Sequence, residues 1–288
     1  MKKISLLLFA MIIGLSGAFT QKTENSLLWK ISGNGLEESS YLYGTLHILC
    51  PDQLDIKDKV KNALNGSDQL VMELNFNDPG VMAKIQQGMI YKDGTTASDY
   101  LNEKEYTMVS NFFRDSMNLP FQRLQAIKPF FLSSMITSHY LKCPQPASFE
   151  QKLTAMANEN ELAVKGLETV EEQLTVVEKI SKNRQKDMLV EGIKNYEKTK
   201  KMFTKMVDHY LNEELSGLDE ITEKYMSDEY AGTKEDLLIK RNKNWIKDMK
   251  PMMKKHRSFI AVGASHLTGK EGLINLLKDA GYTVEPII

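Results

Sequence analysis

Two short stretches near opposite ends of the chain share one plan. "SSYLYGTLHIL" (39–49) is an apolar, β-rich run that stops at Gly44 and delivers His47 just beyond its end. "RSFIAVGASHL" (257–267) is another apolar run, followed by Gly263, two small residues and His266. In open α/β sheets, ligands bind beyond the C-terminal ends of the strands. A glycine there lets the backbone turn sharply or lets a ligand approach closely. If the two strands are sheet neighbours, His47 and His266 face one pocket, and the two ends of the chain share a sheet. With 17 Gly and 5 His in the chain, roughly 0.3 G-x-x-H matches arise by chance, so two in matched settings carry information that one would not.

The rest of the chain fits around such a sheet. "LLWKIS" (27–32) and "SSYLYGTL" (39–46), separated by the turn signal "GNGLEES", predict a β-hairpin. "DIKDKVKNALNGS" predicts a short helix ending at Gly66, and "DQLVMELNF" (68–76) a buried strand. Residues 78–146 are mostly helical in pattern; Asn102 with Glu105 makes a capping box. "FQRLQAIKPFFLSSMITSHYL" is apolar on more than one face, which predicts burial or a groove. After the break "CPQPAS" come a helix, "FEQKLTAMANENE", and a strand, "LAVKGLE" (162–168). Thr169 with Glu172 forms a second capping box. Residues 183–255 are Lys/Glu-rich and helical, with Thr233 opening the last helix of the run; a strand, a helix stopped by Gly281 and a final strand follow. The expected fold is α/β (α+β): a central mixed sheet from N- and C-terminal strands, covered by helices with a large helical middle. The expected organisation is residues 1–20 as a signal peptide and 21–288 as a single domain, with helical insertions at about 78–146 and 183–255.

The first twenty residues carry Lys2 and Lys3, an apolar run from Ile4 to Leu15, then small residues. That is the layout of a secretory signal peptide, and the run is shorter than the roughly 20 residues a membrane span needs. It predicts an exported protein, periplasmic or secreted from a bacterial envelope, with no stable membrane insertion after cleavage. Export meets oxidising conditions, and the two cysteines, Cys50 and Cys143, allow one intramolecular pairing. The net charge of −1 offers no excess of cations for nucleic-acid phosphates, which excludes nucleic acid as an expected partner. "NGS" at Asn65 is a glycosylation acceptor only in a eukaryotic secretory pathway.

Glu73 is the third residue of interest. It lies inside "LVMELNF", and an unpaired buried carboxylate is costly, so it needs a metal, a His or an Arg. Arg241, in "IKRNKNW", sits on a charged helix where most arginines are solvated. His139, His209 and His256 lack the strand-end setting and belong to structure or surface. The chain has no H-E-x-x-H, G-x-S-x-G or C-x-x-C motif. "GASHLTGK" (263–270) has one residue too many for a phosphate loop, and Glu271 stands where Ser or Thr would bind magnesium.

"YLYGTLH" (41–47), "LVMELNF" (70–76), "LAVKGLETVEEQL" (162–174), "KRNKNW" (240–245) and the block from Phe259 to Ile287 together resemble the TraB/GumN family, which includes the Tiki and PrgY proteins. The resemblance covers nearly all of the mature chain. It implies a metalloprotease-like site with a divalent metal such as manganese or cobalt, and His47, Glu73 and His266 as metal and catalytic residues. It also implies that Arg241 and Asn242 match the family's Arg-Asn pair, and that Glu150, where many relatives carry an Asp, lies just behind the site. The wider fold group includes erythromycin esterases and a haem-binding lipoprotein, so fold and motif leave the reaction open. This chain shows no anchor after its leader, so the tethered role of Tiki members does not carry over.

The expected activity is therefore a metal-dependent hydrolase, a peptidase acting on a peptide or a small ester or amide. Two imidazoles and a carboxylate suit zinc, manganese, cobalt or iron, and spacing does not choose among them. Glu73 would either complete the metal shell or act as general base, and Arg241 would stabilise a developing oxyanion. Two alternatives stand beside it: a metal-free His/Glu hydrolase, and a non-catalytic protein that binds a peptide, a metal or haem.

Overall fold

The structure, a computed structural model, describes residues 25–141, 143–228 and 233–288. The leader expected over residues 1–20 lies outside the described residues. Leu28–Ser32 (β1) and Ser40–Thr45 (β2) pair antiparallel. Their connection turns through Gly33, Asn34 and Gly35, all at positive φ (77°, 47° and 80°), a conformation glycine adopts without steric cost. After β2 come a two-residue strand, Ile48–Leu49 (β3), the helix Asp58–Asn65 (α1) and the strand Gln69–Met72 (β4).

Three helices follow: Val81–Met89 (α2), Glu103–Asp115 (α3) and Pro129–His139 (α4). Asn102 caps α3, its side chain accepting from the Glu105 N–H at 3.0 Å. A second short strand, Ala147–Ser148 (β5), pairs with β3 and runs straight into Phe149–Glu159 (α5). Then come Ala163–Gly166 (β6) and four helices: Val170–Lys179 (α6), Lys182–Lys194 (α7), Tyr196–Leu211 (α8) and Leu215–Asp228 (α9). The carbonyl of Thr233 accepts the first helical bonds of the next segment. That segment begins as a π-helical stretch, Glu235–Ile239, and continues as Lys240–Lys255 (α10). Ser258–Gly263 (β7), Leu273–Asp279 (α11) and Thr283–Pro286 (β8) complete the chain. Gly281, at φ 90°, ends the last helix as expected.

Six strands form one mixed sheet in the order β6-β4-β7-β2-β1-β8. The strand from the C-terminal motif, β7, is parallel to both its neighbours, β2 and β4, and β6 extends the parallel half. These inner strands are apolar along their length: Leu42, Leu70, Val71, Phe259 and Ile260 are all fully buried, the pattern of a parallel sheet covered on both faces. Among the helices, α5 packs against β4 and β6 and α11 against β8, and Tyr210 of α8 reaches β2 at Tyr43 and the Gly44 carbonyl. The disulfide Cys50–Cys143 joins the segment after β3 to the segment before β5.

Two strand boundaries differ from expectation. The buried strand at 68–76 ends at Met72, so Glu73 is the first residue past the strand and not an interior one. The strand at 162–168 ends at Gly166, which leaves Glu168 beyond its end. Both corrections move a carboxylate to the same rim of the sheet, where the Glu168 N–H still bonds to the Glu73 carbonyl at 3.0 Å and holds the two residues side by side.

Candidate functional site

Four parallel strands each deliver one titratable side chain past their C-terminal ends. Across the sheet these are Glu168, Glu73, His266 and His47, after β6, β4, β7 and β2. Gly263 stands at their centre. A Cβ on it would lie 3.5 Å from Glu73 Oε1, 3.6 Å from His266 Cδ2 and 3.7 Å from His47 Nε2. Gly44 does a different job: a Cβ there would come within 3.2 Å of the Ala264 Cα and 3.0 Å of Leu267 Cδ2. The turn carrying His266 therefore packs on the strand carrying His47.

Each histidine turns one nitrogen away from the centre. His47 donates from Nδ1 to Glu150 Oε1 at 2.8 Å, and Glu150 also accepts from Ser148 Oγ at 2.6 Å. His266 donates from Nδ1 to Asn242 Oδ1 at 2.6 Å. The Asn242 amide is fixed in turn by the carbonyls of His266 and Glu271 at 3.2 and 2.8 Å. Both Nε2 atoms face the site, that of His47 without a partner among the hydrogen bonds of the described residues and that of His266 beside Arg241 at 3.3 Å. Backing of this kind orients histidines that bind metals or move protons. The two rings differ in exposure: 67% of the His47 side chain is open to solvent, whereas His266 is 4% exposed, so the site is entered from the His47 side.

Glu73 is held by three donors. Arg241 reaches Oε2 at 2.6 Å, Gln173 reaches the same oxygen at 3.2 Å, and the Gly263 N–H reaches Oε1 at 3.0 Å. Arg241 also bridges to Glu168, donates to the Leu237 carbonyl at 3.0 Å and meets His266 Nε2 at 3.3 Å. Every N–H of the guanidinium thus has an acceptor. Its plane rests on Trp245, 4.7 Å from the ring centre, and the Trp245 indole donates to Glu168 at 3.3 Å. The π-helical stretch immediately before α10 belongs to this clamp, since its Leu237 carbonyl is one of the acceptors; such wide turns recur at functional sites.

The electrostatics follow from these contacts. Burial pushes His266 down to about 3, helped by the positive charges of Arg241 and His47 and opposed by Glu73. Burial alone would raise Glu73, but Arg241, the two histidines and the Gly263 N–H outweigh it and hold the carboxyl well below the usual range. Surrounding protein also lowers His47, yet the hydrogen bond and charge of Glu150, with Glu73 adding, raise it to about 9. One ring is therefore neutral and the other protonated across an ionised carboxylate. His266 Nε2 and Glu73 Oε1 lie 3.9 Å apart. Among the described residues no three His, Cys, Asp or Glu side chains stand close enough together to hold a metal ion as they are.

A family model matches residues 27–286, nearly the whole described chain. The chain belongs to the TraB/PrgY/gumN family. No curated protein and no solved structure shows significant similarity to it. In this TraB/PrgY/gumN protein, all the residues expected at the site stand together: His47, Glu73, His266 and Arg241, with Asn242 and Glu150 directly behind the histidines. Glu168 and Gln173 were not expected. Glu168 carries the same signal as Glu73, a carboxylate just past an apolar strand, so a search for acids at strand ends would have found it. Gln173 had no such signal. Among the other histidines, His209 bonds Glu214 at 2.6 Å, and His139 and His256 lie at the C-terminal ends of α4 and α10. Among the described residues no helix is long and apolar enough to cross a membrane.

Proposed function

We propose that the protein is a metal-dependent hydrolase of amide bonds, working outside the reducing cytoplasm. The convergence of His47 Nε2, His266 and Glu73 on the space beside Gly263 carries this reading. The leader-like N-terminus and the Cys50–Cys143 disulfide support export.

The donors fit a divalent ion in kind, since both imidazoles have their Nδ1 protons tied to acceptors and the carboxylate is ionised. His47 and His266 would hold it, and loading has to draw these groups together and release the His47 proton. When bound, such an ion acidifies a water and polarises a carbonyl. Glu73 is ionised and held in place by three hydrogen bonds, so it is the carboxylate positioned to take a proton. Its Oε1 has a lone pair left beyond the Gly263 bond. That atom takes a proton from the attacking water and passes it to the leaving nitrogen as the C–O bond forms and the C–N bond breaks. Arg241 keeps Glu73 ionised and aimed; the N–H it turns to His266 Nε2 at 3.3 Å would be released when that nitrogen takes the ion, and could then meet a developing oxyanion.

A metal-free hydrolase is the second reading, favoured by the raised pKa of His47. There the protonated ring would donate to the leaving group while Glu73 takes the water proton. One experiment separates the two. Untagged mature protein and a His47→Ala/His266→Ala variant are assayed for metal by mass spectrometry and for peptide hydrolysis with and without chelator. Near-stoichiometric metal in the wild type alone, with chelator-sensitive turnover, is the expected result. Turnover that survives exhaustive chelation establishes the metal-free reading. No hydrolysis by metal-loaded wild type overturns both.

A further inference from the structure

Helix α10 carries a pattern of its own outside the site. Lys240, Lys243, Lys247, Lys250 and Lys254 follow one another at steps of three and four residues, the spacing that puts side chains on one helical face. All five are exposed, and at 1.5 Å per residue the row is about 21 Å long. The opposite face is buried through Asn242, Trp245, Ile246, Met249 and Met253, so the row lies along the outside of the molecule. Lys240 pairs with Asp236 at 2.9 Å, and Lys247 donates to Asn244 at 3.2 Å. Lys243, Lys250 and Lys254 form no ion pair among the described residues.

The row works against its own helix. Like charges three and four residues apart repel, and here each lysine meets the next at such a step. Eight of the chain's 37 Lys and Arg fall within residues 240–257, which hold one acid, Asp248. Asp248 lies on another flank of the helix, in a hollow shared with Glu171 and Glu172, and does not offset the row. The whole chain has a net charge of −1, so the rest of it is net acidic and the positive charge is concentrated here. An anionic surface laid along the row relieves the repulsion.

The chemistry of the row selects the kind of anion. Every member is lysine, a point charge on a flexible stem, where a guanidinium would give a fixed two-pronged match to one carboxylate or phosphate. Protein interfaces are poor in lysine and have an apolar centre. The large apolar side chains exposed among the described residues are Met82, Ile90 and Ile288, none of them on α10. A sheet of anionic lipid headgroups needs neither fork nor apolar centre, and basic clusters on a helix are drawn to it. The leader-like N-terminus brings the chain to such a surface. We infer that α10 docks the protein on anionic lipid headgroups, with Lys243, Lys247, Lys250 and Lys254 as the contact row and nothing inserted below the headgroups. Arg241 and Asn242 sit at the start of the same helix, so docking holds the site at one end of the contact row, beside the lipid. The docking uses the export reading above and is independent of the hydrolase reading. Vesicle binding reads neither export nor turnover, so it fails separately from both.

The mature protein is mixed with vesicles of phosphatidylcholine alone or with about 30% phosphatidylglycerol, and binding is read by co-flotation. At about 25 mM salt the affinity for the anionic vesicles should exceed that for the neutral ones at least tenfold. Raising the salt to about 300 mM should weaken it at least tenfold, since exposed charges are screened. Lys243→Glu/Lys250→Glu should also weaken it at least tenfold. Lys198→Glu/Lys201→Glu, the same charge change on exposed lysines of α8, should weaken it less than threefold. Lys243→Gln/Lys247→Gln/Lys250→Gln/Lys254→Gln removes the row without adding acids, and should lose binding while its helical content, read by circular dichroism, is unchanged. Equal binding to neutral vesicles, no binding, or equal loss in the α8 and α10 variants would each overturn the inference. Labelled polyglutamate that binds more tightly than the vesicles, read by anisotropy in competition with them, would assign the row to an acidic protein and overturn it as well.

Discussion

At the scale of single residues, Glu73 and the glycine beside it make the sharpest predictions. Glu73→Gln keeps the size of the side chain and removes the charge. It should retain metal while turnover falls by about 10²–10⁴, the usual worth of a positioned base; metal content and kcat measured on the same sample check this, and loss of metal would make Glu73 a ligand. Gly263→Ala places a methyl 3.5–3.7 Å from Glu73, His266 and His47. Those are ordinary contact distances, so the thermal midpoint should hold within a few degrees while metal binding and hydrolysis are lost. The residues were legible in the sequence to different degrees. His47 and His266 stood out because each follows an apolar strand and a glycine. Arg241 did not, because its position on a Lys-rich helix resembles a solvated one, and its value here comes from Glu168 and Glu73, which lie far from it in the chain.

Among the elements, α10 and the β3–β5 ribbon position the site from opposite sides. Glu168→Gln removes the carboxylate that anchors Arg241 to the rim. Arg241 then has one ionic partner, Glu73, and hydrolysis should fall about tenfold while the fold persists; rescue of the rate by Glu168→Asp would separate positioning from a general loss of packing. The ribbon carries Ser148 into its bond with Glu150, and the Cys50–Cys143 bond closes it. The residues it joins are 93 apart, so in the chain-entropy account its loss costs about 4–5 kcal/mol. A Cys50→Ser/Cys143→Ser variant should therefore unfold at markedly lower denaturant, measured by urea titration. The parallel strands were legible as apolar runs, and the capping boxes at Asn102 and Thr169 marked two helix starts correctly. The π-helical stretch before Arg241 was not, since 235–239 has an ordinary helical composition and its winding depends on tertiary contacts.

For the whole molecule, the site's charges shape stability against pH. The folded-state pKa of His47, about 9, lies above its ordinary 6.5, so its contribution is complete below about pH 6.5 and is lost as pH rises through about 9. His266 acts in the opposite direction. Its folded ring refuses a proton until about pH 3, whereas the unfolded chain takes one up near 6.5, so stability falls as pH drops below 6.5. Glu73, held ionised, adds to the loss below its ordinary 4.5. The metal-free protein should thus be most stable near pH 6.5, and His47→Gln should flatten the alkaline limb; urea midpoints across pH 4 to 10 measure both. The sheet order has one more consequence. The strand that joins β2 to β4 is β7, which is made after nearly nine-tenths of the chain. Until it slots between them, His47 and Glu73 belong to strands that do not touch. A nascent or C-terminally clipped chain therefore carries most of the site's groups without the site, and on the hydrolase reading proposed above it should be inactive.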